Sequence, residues 1–338
     1  MRLRAPDHWR RRNGPSRGAL LTLIARLVAP LWATVTAARI ARATPQDCGR
    51  VVICVGAVTV GGSGKTPIVR ELVSRLRSKG LDAHVLTRGY GGRLAGPVRV
   101  DPAIHSAAQV GDEALMLAKD APVWVARQRP AGARAAISLG AEVIVMDDGH
   151  QNPTLRKTLS LVVVDGETRH GDWPFGDGRV IPAGPMREPL AVGLARADAV
   201  VIVLPADLAE VDPELMSLFG GKPVLIARLE SSSPPPAGPQ VGFAGIGKPE
   251  KFERALIAAG CDLRDFAPLA DHQPFSESLL TFLERRAGVL GAGLVTTEKD
   301  WVRLPPAWRE RIAVWPARAR FDDSAALDAL LATALRLP

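Results

Sequence analysis

The sequence has few cysteines and no internal repeat, and these absences limit what the protein can be. Its 338 residues include three cysteines, Cys48, Cys54 and Cys261. Their spacing matches no metal-binding cluster, and their odd number does not form a complete disulfide framework. This usage suits a reducing compartment. The length predicts either one large domain or two smaller ones.

The chain also lacks net charge outside its first 43 residues. It carries 43 basic and 35 acidic residues, a formal charge of +8. Residues 1–43 contain nine arginines and one acidic residue, Asp7, which leaves 34 residues of each sign in the rest of the chain. A basic protein would indicate nucleic acid as the partner. A neutral body with a basic, apolar arm indicates an anionic membrane surface instead, and no nucleic acid.

Residues 1–45 predict a basic and apolar arm that interacts with a membrane. Residues 19–38 are apolar apart from Arg26 and threonines, and Pro30 interrupts them. About 20 apolar residues can just span a bilayer, but an arginine near the middle argues against a clean span. We therefore predict a helix lying in the membrane interface. A spanning helix, a secretory signal and a helix packed on the protein's own core are the alternatives.

Residues 51–67, VVICVGAVTVGGSGKTP, predict a phosphate-binding loop. An apolar strand leads into a glycine-rich turn and then into a helix start, so that backbone N–H groups can close on phosphate oxygens. Lys65 is predicted to reach the β- and γ-phosphates of a bound nucleotide, and the Thr66 hydroxyl to ligate Mg²⁺. Thr59 stands where a strict motif has glycine. The predicted nucleotide-binding residues are Thr59, Gly61, Gly62, Ser63, Gly64, Lys65 and Thr66.

Short apolar strands alternate with helical stretches from residue 51 to about residue 203. This alternation predicts an α/β fold with a doubly wound, mostly parallel sheet, in a phosphate-loop domain of residues 46–230. The proline-rich stretch at 231–239, SSSPPPAGP, predicts a stiff linker. Strand and helix patterns after it predict a smaller C-terminal α/β domain of residues 240–338. Ligands are expected at the carboxyl ends of the strands.

Several charged residues follow the predicted strands. Asp147 and Asp148 end an apolar strand and are predicted to serve Mg²⁺, although the sequence does not decide which of them contacts the metal. Glu113 is also assigned to the metal. Asp112, taken alone, is typical of a helix N-cap, and His272 beside Asp271 is typical of a structural histidine. Predicted substrate-binding residues are Arg88 in TRGYGG, Arg179 and Arg187 in GRVIPAGPMREP, and Gln151 in DDGHQN.

Taken together, the segments HWRRR, VGGSGKTP, TRGYGG, GDEALML, DDGHQN, IPAGPMREP, ADHQPF and TTEKD resemble the tetraacyldisaccharide 4′-kinase family of Gram-negative bacteria. The resemblance implies transfer of the γ-phosphate of ATP, with Mg²⁺, to the 4′-hydroxyl of a tetraacyl glucosamine disaccharide 1-phosphate in lipid A biosynthesis. It implies work at the cytoplasmic face of the inner membrane. It also implies that Asp112 is the catalytic base, with His272 beside it and Lys65 on the phosphates. His150 departs from the apolar residue expected after DDG, and its role stays open.

Other phosphate-loop proteins are the alternative to this interpretation. A GTPase or ATPase switch, or a metallochaperone-like NTPase, shares GGSGKT, but a GTPase should carry a guanine-reading N-K-x-D, which this sequence lacks. A partition-type ATPase should have a lysine where Val60 stands. A non-enzymatic membrane tether is disfavoured by Lys65, Thr66 and the two aspartates at the strand end.

Overall fold

The computed structural model describes residues 6–12 and 19–336. In this part of the chain the strands are β1 Val51–Gly56, β2 Ala83–Thr87, β3 Val98–Arg99, β4 Val123–Val125, β5 Val143–Asp147, β6 Leu159–Asp165, β7 Ala199–Pro205, β8 Val224–Glu230, β9 Gln240–Ala244, β10 Leu263–Pro268, β11 Gly293–Thr296, β12 Ile312–Val314 and β13 Arg318–Phe321. The α-helices are α1 Ala19–Arg42, α2 Lys65–Ser78, α3 Ala107–Val110, α4 Asp112–Leu117, α5 Arg129–Ile137, α6 Leu190–Ala195, α7 Pro213–Ser217, α8 Pro249–Ala258, α9 Glu277–Val289, α10 Glu298–Trp301, α11 Pro306–Arg309 and α12 Ser324–Leu335. Short 3₁₀ helices lie at Asp7–Arg10 and Arg169–Gly171.

The larger of two sheets has nine strands in the order β13-β8-β7-β6-β1-β5-β2-β4-β3. Its seven central strands are parallel, and the edge strands β13 and β3 are antiparallel to their neighbours. Because β1 lies between β5 and β6, the chain winds first to one side of β1 and then to the other. Such a reversal leaves a crevice at the carboxyl ends of these strands, where ligands bind.

Helices cover both faces of this sheet because alternate strand residues point to opposite sides. Ile53 and Val55 of β1 pack in a cluster with residues of α2, α4 and α12, whereas Val52 and Cys54 pack with residues of α5. Residues of α6 and α7 cover the second face further along, over β6 and β7. The predicted α/β fold with a doubly wound, mostly parallel sheet is confirmed. We call this body the large unit.

The second sheet has four parallel strands in the order β10-β9-β11-β12. Phe252 and Leu256 of α8 pack on one of its faces, and Leu280 and Leu283 of α9 pack on the other. We call this body, residues 240–314, the small unit. The predicted α/β character of the C-terminal region is thus found on a smaller scale than that of the large unit.

The end of the chain returns to the large unit. The predicted division into domains did not include this return. Strand β13 pairs with β8, and Phe321, Leu327 and Leu331 are buried in the same cluster as α2. The assignment of residues 240–338 to one C-terminal domain is therefore wrong for residues 318–336. The apolar pattern of this stretch predicts a closing helix, but it does not say which sheet the helix packs on. The other domain limits stay a prediction.

Helix α1 lies on the outside of the large unit. Its exposed side chains include Leu27, Leu31, Trp32 and Val35, which are 48–71% exposed. Residues 23–42 are long and apolar enough to cross a membrane by length and composition alone, with 11% of the apolar window buried. Parts of the predicted arm, residues 1–5 and 13–18, lie outside the described residues.

Candidate active site

The phosphate loop, residues 57–64, connects β1 to α2. Gly61 and Gly64 have φ angles of 103° and 84°, which favour glycine. Helix α2 begins at Lys65, and Pro67 fits its first turn because N–H groups there have no helical partner. The Ser63 hydroxyl is buried without a hydrogen-bond partner in the described structure. The loop thus ends on a helix N-terminus, the arrangement that binds phosphate.

A second segment supports the phosphate loop from the side. Val60 N donates to Pro185 O at 2.9 Å, and Arg187 N donates to Val58 O at 2.7 Å. Thr59 pairs with Met186 between them in an antiparallel bridge and is buried. Thr59 is therefore buried in a backbone bridge that supports the loop.

Asp147 and Asp148 end β5 next to β1 but have opposite environments. Asp147 is fully buried, and both carboxylate oxygens lack a hydrogen-bond partner among the described residues. Burial, followed by the charges of Glu113 and Asp148, raises the pKa of Asp147 to about 7. A buried carboxylate whose oxygens have no partner in the described structure is suited to bind a cation.

Asp148 has partners already. Its Oδ1 lies 2.8 Å from Arg187 Nη1 and 3.6 Å from Lys65 Nζ. Burial alone would raise the pKa of Asp148, but the charges of Lys65 and Arg187 outweigh it and lower the pKa to about 2. Its φ of 51° turns the chain sharply after the strand. Asp148 therefore holds the lysine of the phosphate loop in place.

The described residues contain no group of three or more His, Cys, Asp or Glu side chains arranged to hold a metal ion. Phosphate-loop enzymes do not need such a group, because a Ser or Thr hydroxyl, one aspartate and the nucleotide phosphates share the Mg²⁺. Thr66 in the first turn of α2 and the unpartnered Asp147 have this chemistry. The residues present therefore fit a nucleotide-bound Mg²⁺.

Asp112 and His272 meet across the cleft between the two units. His272 Nδ1 lies 2.7 Å from Asp112 Oδ2, and Arg303 Nε lies 3.8 Å from the same oxygen. Burial would raise the pKa of Asp112, but His272, Lys299 and Arg303 together lower it. Asp112 is the first residue of α4, and the N-cap is Gly111. The interpretation of Asp112 as a simple helix cap is therefore wrong.

Lys299 of the small unit lies beside this pair. Lys299 Nζ lies 3.2 Å from Glu113 Oε1, 3.5 Å from His272 Nε2 and 3.7 Å from Asp271 Oδ1. Burial would lower the pKa of Lys299, but Glu113, Asp112 and Asp271 raise it, so the ammonium stays charged. Glu113, assigned to the metal from the sequence, is thus paired with Lys299 in this structure.

The four predicted substrate-binding residues differ in their surroundings. Arg88 is exposed and forms no ion pair within the described part of the chain. Arg187 contacts Asp148 and Gln151 Oε1. The Gln151 amide donates to Ala57 O and to Glu188 Oε1, at 2.8 and 2.9 Å. Arg179 pairs with Asp177 on the surface, and within the described structure its side chain contacts none of the other predicted site residues. Arg88 alone is therefore available to an anionic group without breaking an existing contact.

Sequence reasoning missed two arginines. Arg129 is buried at the start of α5, donates to Ala126 O at 2.6 Å and acts electrostatically on Asp147 and Arg88. Burial lowers the pKa of Arg129 to about 10. Arg303 contacts Asp112 from the small unit. Neither stands in a motif with a recognisable pattern, so only the folded structure brings them to the site.

His150, whose role the sequence left open, is a packed core residue. It is 1% exposed, and its ring nitrogens lie 2.9 Å from Gly193 O and 3.2 Å from Ser160 Oγ. A side-chain carbon at Gly56 would lie 2.4 Å from the His150 Cβ, so this contact requires glycine. Burial, with Lys157 and Arg196 nearby, lowers the pKa of His150 to about 4. His150 therefore joins β1, β6 and α6 as a neutral ring.

Comparison with known proteins identifies the family. A family profile described as Tetraacyldisaccharide-1-P 4'-kinase matches residues 20–336. The tetraacyldisaccharide 4'-kinase of Phenylobacterium zucineum (strain HLK1) is 64% identical over 334 residues, covering 98% of this chain and 99% of that protein. The enzyme of the same name from Caulobacter vibrioides (strain NA1000 / CB15N) is 63% identical and covers 98% of both.

The chain belongs to the tetraacyldisaccharide 4′-kinase family. It is a phosphotransferase of lipid A biosynthesis, which decides against the alternative of a switch-type or metallochaperone-like NTPase. The resemblance inferred from the motifs is thereby confirmed.

The fold has also been seen in a solved member of the family. The crystal structure of LpxK from Aquifex aeolicus in complex with ATP superposes with a TM-score of 0.71, at 23% identity, over 93% of this chain and 99% of that one. This likeness establishes the fold of the tetraacyldisaccharide 4′-kinases for the chain. The roles of the individual site residues stay predictions, because neither family membership nor fold assigns them.

Proposed function

We propose that the chain transfers the γ-phosphate of ATP to the 4′-hydroxyl of a tetraacyl glucosamine disaccharide 1-phosphate, with Asp112 as the base. The observation that carries this mechanism is the 2.7 Å contact of Asp112 with His272, made by two units that approach each other at the phosphate-loop edge of the sheet. Glu113, next to Asp112, lies close enough to Asp147 to raise its pKa. Base, lysine and strand-end aspartates therefore share one crevice.

The nucleotide half of the site is formed by the phosphate loop and two cations. The loop N–H groups and the N-terminus of α2 are suited to the phosphates of ATP. Lys65, held by Asp148, supplies a positive charge for the transferring phosphoryl oxygens. Arg88, exposed and without an ion pair in the described residues, is suited to a further phosphate oxygen.

Thr66 and Asp147 are the residues that would hold Mg²⁺ with the nucleotide. The metal supplies charge neutralisation for the phosphate oxygens. Asp147, whose two oxygens have no partner in the described structure, is preferred over Asp148, which is committed to Arg187 and Lys65.

The acceptor half of the site is formed by Asp112 and the small-unit residues around it. The 4′-hydroxyl has a pKa far above neutrality, so its proton must leave as the phosphorus is attacked. Asp112 remains ionised because His272, Lys299 and Arg303 lower its pKa, and it can therefore accept this proton. His272 Nδ1–H, donating to Asp112 Oδ2, orients the carboxylate.

Helix α1 is suited to bring the site to a lipid acceptor at the cytoplasmic face of the inner membrane. Its exposed apolar residues fit the acyl boundary, and Arg26, Arg39 and Arg42 fit anionic headgroups. Contacts also link α1 to the site, because Arg39 donates to Gln151 O at 3.4 Å and Gln151 contacts Arg187. A pocket of about 220 Å³ lies between α1 and residues 188–192.

The test is phosphate transfer from radiolabelled ATP to the disaccharide 1-phosphate in detergent micelles, with the purified full-length chain. We expect one labelled product with the natural acceptor and none with an acceptor that lacks the 4′-hydroxyl. Asp112→Asn should lose the transfer, whereas Asp262→Asn, which removes an exposed carboxylate paired with Arg264, should keep it. Equal activity of both variants would remove Asp112 from the mechanism.

A further inference from the structure

The N-terminal segment, residues 7–12, is bound to the large unit by contacts that the phosphate chemistry does not use. Trp173 N donates to Arg10 O at 2.7 Å. The Arg12 guanidinium lies 3.5 Å from the centre of the Trp173 ring, and its Nη1 lies 2.7 Å from Glu214 Oε1. Gly176 approaches the segment so closely that a side-chain carbon there would lie 2.1 Å from Trp9 O. The segment therefore has a defined seat on the large unit.

From this seat the Arg10 side chain reaches across to the small unit. Its Nη1 donates to Glu250 Oε1 at 2.6 Å, and its Nη2 donates to Gly247 O. The side chain is only 22% exposed. Because a guanidinium is planar, two bonds in different directions fix the position of both acceptors. Arg10 thus joins the two units at one point of the cleft.

The part of the small unit that Arg10 holds lies directly on the phosphate loop. Residues 245–248, GIGK, follow β9 and precede α8. A side-chain carbon at Gly247 would lie 3.2 Å from Gly62 N, a backbone group of the phosphate loop. Lys248 fixes the end of the GIGK stretch through Asp165 and Asp172, at 2.9 and 3.2 Å. The GIGK stretch therefore packs against the backbone of the phosphate loop.

We propose that Arg10 is a positioning residue that latches the GIGK stretch onto the phosphate loop and so keeps the nucleotide site closed. This rests on the proposed function only in so far as the phosphate loop binds ATP. When only a fraction of the molecules is closed, the apparent dissociation constant is the intrinsic one divided by that fraction. Loss of the latch therefore weakens nucleotide binding, although Arg10 touches neither nucleotide nor acceptor.

The experiment measures nucleotide affinity directly in the full-length chain in detergent micelles, by titration with a fluorescent ATP analogue and MgCl₂ and without acceptor. Arg10→Ala should raise the dissociation constant about fivefold to tenfold, as expected when a charge-assisted hydrogen bond is lost. Arg10→Glu should raise it further. Combining Arg10→Glu with Glu250→Arg should recover part of the loss. The matched control is Arg311→Ala, which breaks an exposed pair with Glu284 in the same unit and should change nothing.

Steady-state kinetics and melting temperatures complete the test. The latch predicts a higher KM for ATP, an unchanged KM for the acceptor and an unchanged melting temperature. Wild-type affinity in Arg10→Ala and Arg10→Glu would overturn it. So would a lower melting temperature with no recovery in the exchanged pair, since that indicates a role in folding alone. If the wild type binds the analogue but phosphorylates no disaccharide, the proposed function fails while the affinity data still decide on the latch.

Discussion

At the scale of single residues, the environment decides what each carboxylate of the site can do. Asp148 is held by two cations, Asp147 has no partner among the described residues, and Asp112 is bonded to a histidine. Three carboxylates of the same chemistry are therefore suited to three tasks: Asp148 anchors Lys65, Asp147 offers oxygen ligands to a cation, and Asp112 stays charged and can accept a proton. A prediction follows for each pair of neighbours.

Asp112 and His272 are predicted to act as one unit. Asp112→Ala and His272→Ala should each cut turnover strongly and leave the KM for ATP within a few-fold. The loss of turnover in the double variant should be much smaller than the product of the two single losses, because each residue has little function once its partner has been removed. Steady-state kinetics of the four proteins give the coupling. Independent, multiplicative losses would show that the 2.7 Å contact is incidental.

Asp147 and Asp148 should separate in a comparison of stability and activity. Asp148→Asn breaks contacts to Arg187 and Lys65, so we expect it to cost about 1–2 kcal/mol of unfolding free energy. Asp147→Asn removes an unpartnered buried carboxylate whose ionisation the fold opposes, so it should not lower stability at pH 8 without metal. Both should lose Mg²⁺-dependent turnover. Urea unfolding of both variants measures their stability. An Asp147→Asn protein that unfolds more easily than the wild type would contradict the expectation for Asp147.

The sequence predicts site residues that stand in motifs and misses those that do not. Asp147 and Asp148 lie at the end of the apolar strand β5, and Lys65 follows the phosphate loop after β1, so their meeting at one edge follows from the parallel sheet. Arg129 and Arg303 become site residues only through contacts with distant parts of the chain. The ion pair of Arg187 with Asp148 likewise depends on the tertiary structure. The local sequence around Arg187 does not show whether this arginine is paired or free.

At the scale of elements, the sequence predicts best those strands and helices whose apolar residues follow one clear pattern. Most strands of the large sheet between residues 51 and 203 are apolar runs between turn residues, the pattern from which the sequence predicts a mostly parallel sheet. The sequence does not predict strands β8 and β10. Strand β8 alternates buried and half-buried residues and β10 is largely half-buried, so neither has the continuous apolar run of a central parallel strand.

Helix α1 and the N-terminal segment are neighbouring elements with separable roles. Deleting residues 1–43 would remove both the apolar surface of α1 and the contacts of Arg10 with the small unit. Such a deletion therefore mixes membrane binding with closure of the nucleotide site. Substitutions confined to the exposed face of α1 separate the two.

We predict that replacing Leu27, Leu31 and Val35 by serine releases the chain from membranes. These side chains are 71%, 64% and 59% exposed, so the changes remove apolar surface without opening the core. Vesicle flotation should show the protein in the soluble fraction, and the KM for ATP should stay unchanged. Replacing Arg285, Arg311 and Arg336 by serine, three sites away from α1, serves as the control. Continued flotation of the α1 variant would show that another surface anchors the protein.

At the scale of the whole molecule, the chain passes once from the large unit to the small unit and then returns. Its N-terminal segment contacts both units, and the chain then forms the large sheet and the small unit in turn. Finally β13 and α12 pack on the large unit again. The sequence predicted two α/β bodies but not this return, because strand order depends on long-range pairing. Several sets of ionic contacts join the units across the cleft, among them those around Asp112, Asp165, Glu250 and Glu298.

The contact around Asp165 gives the joint between the units a defined pH dependence. Asp165 is buried at the end of β6 and pairs with Lys248 and Lys251 of the small unit. Burial would raise its pKa, but the two lysines lower it to about 2. Because the pKa is lower in the folded state, the stabilisation is fully present above the unfolded value near 4 and is lost as the pH falls through about 2.

Asp165→Asn measures this contribution. The lowered pKa corresponds to about 2 kcal/mol of unfolding free energy at pH 6, falling to about half of that by pH 3. Urea unfolding of wild type and variant at pH 6, 4 and 3 should therefore give curves that approach each other as the pH falls. In Asp262→Asn, where the lost carboxylate is exposed, the difference from wild type should be small at every pH. A constant difference for Asp165→Asn would mean that its charge does not join the units, and that the carboxylate stabilises the fold through its uncharged contacts alone.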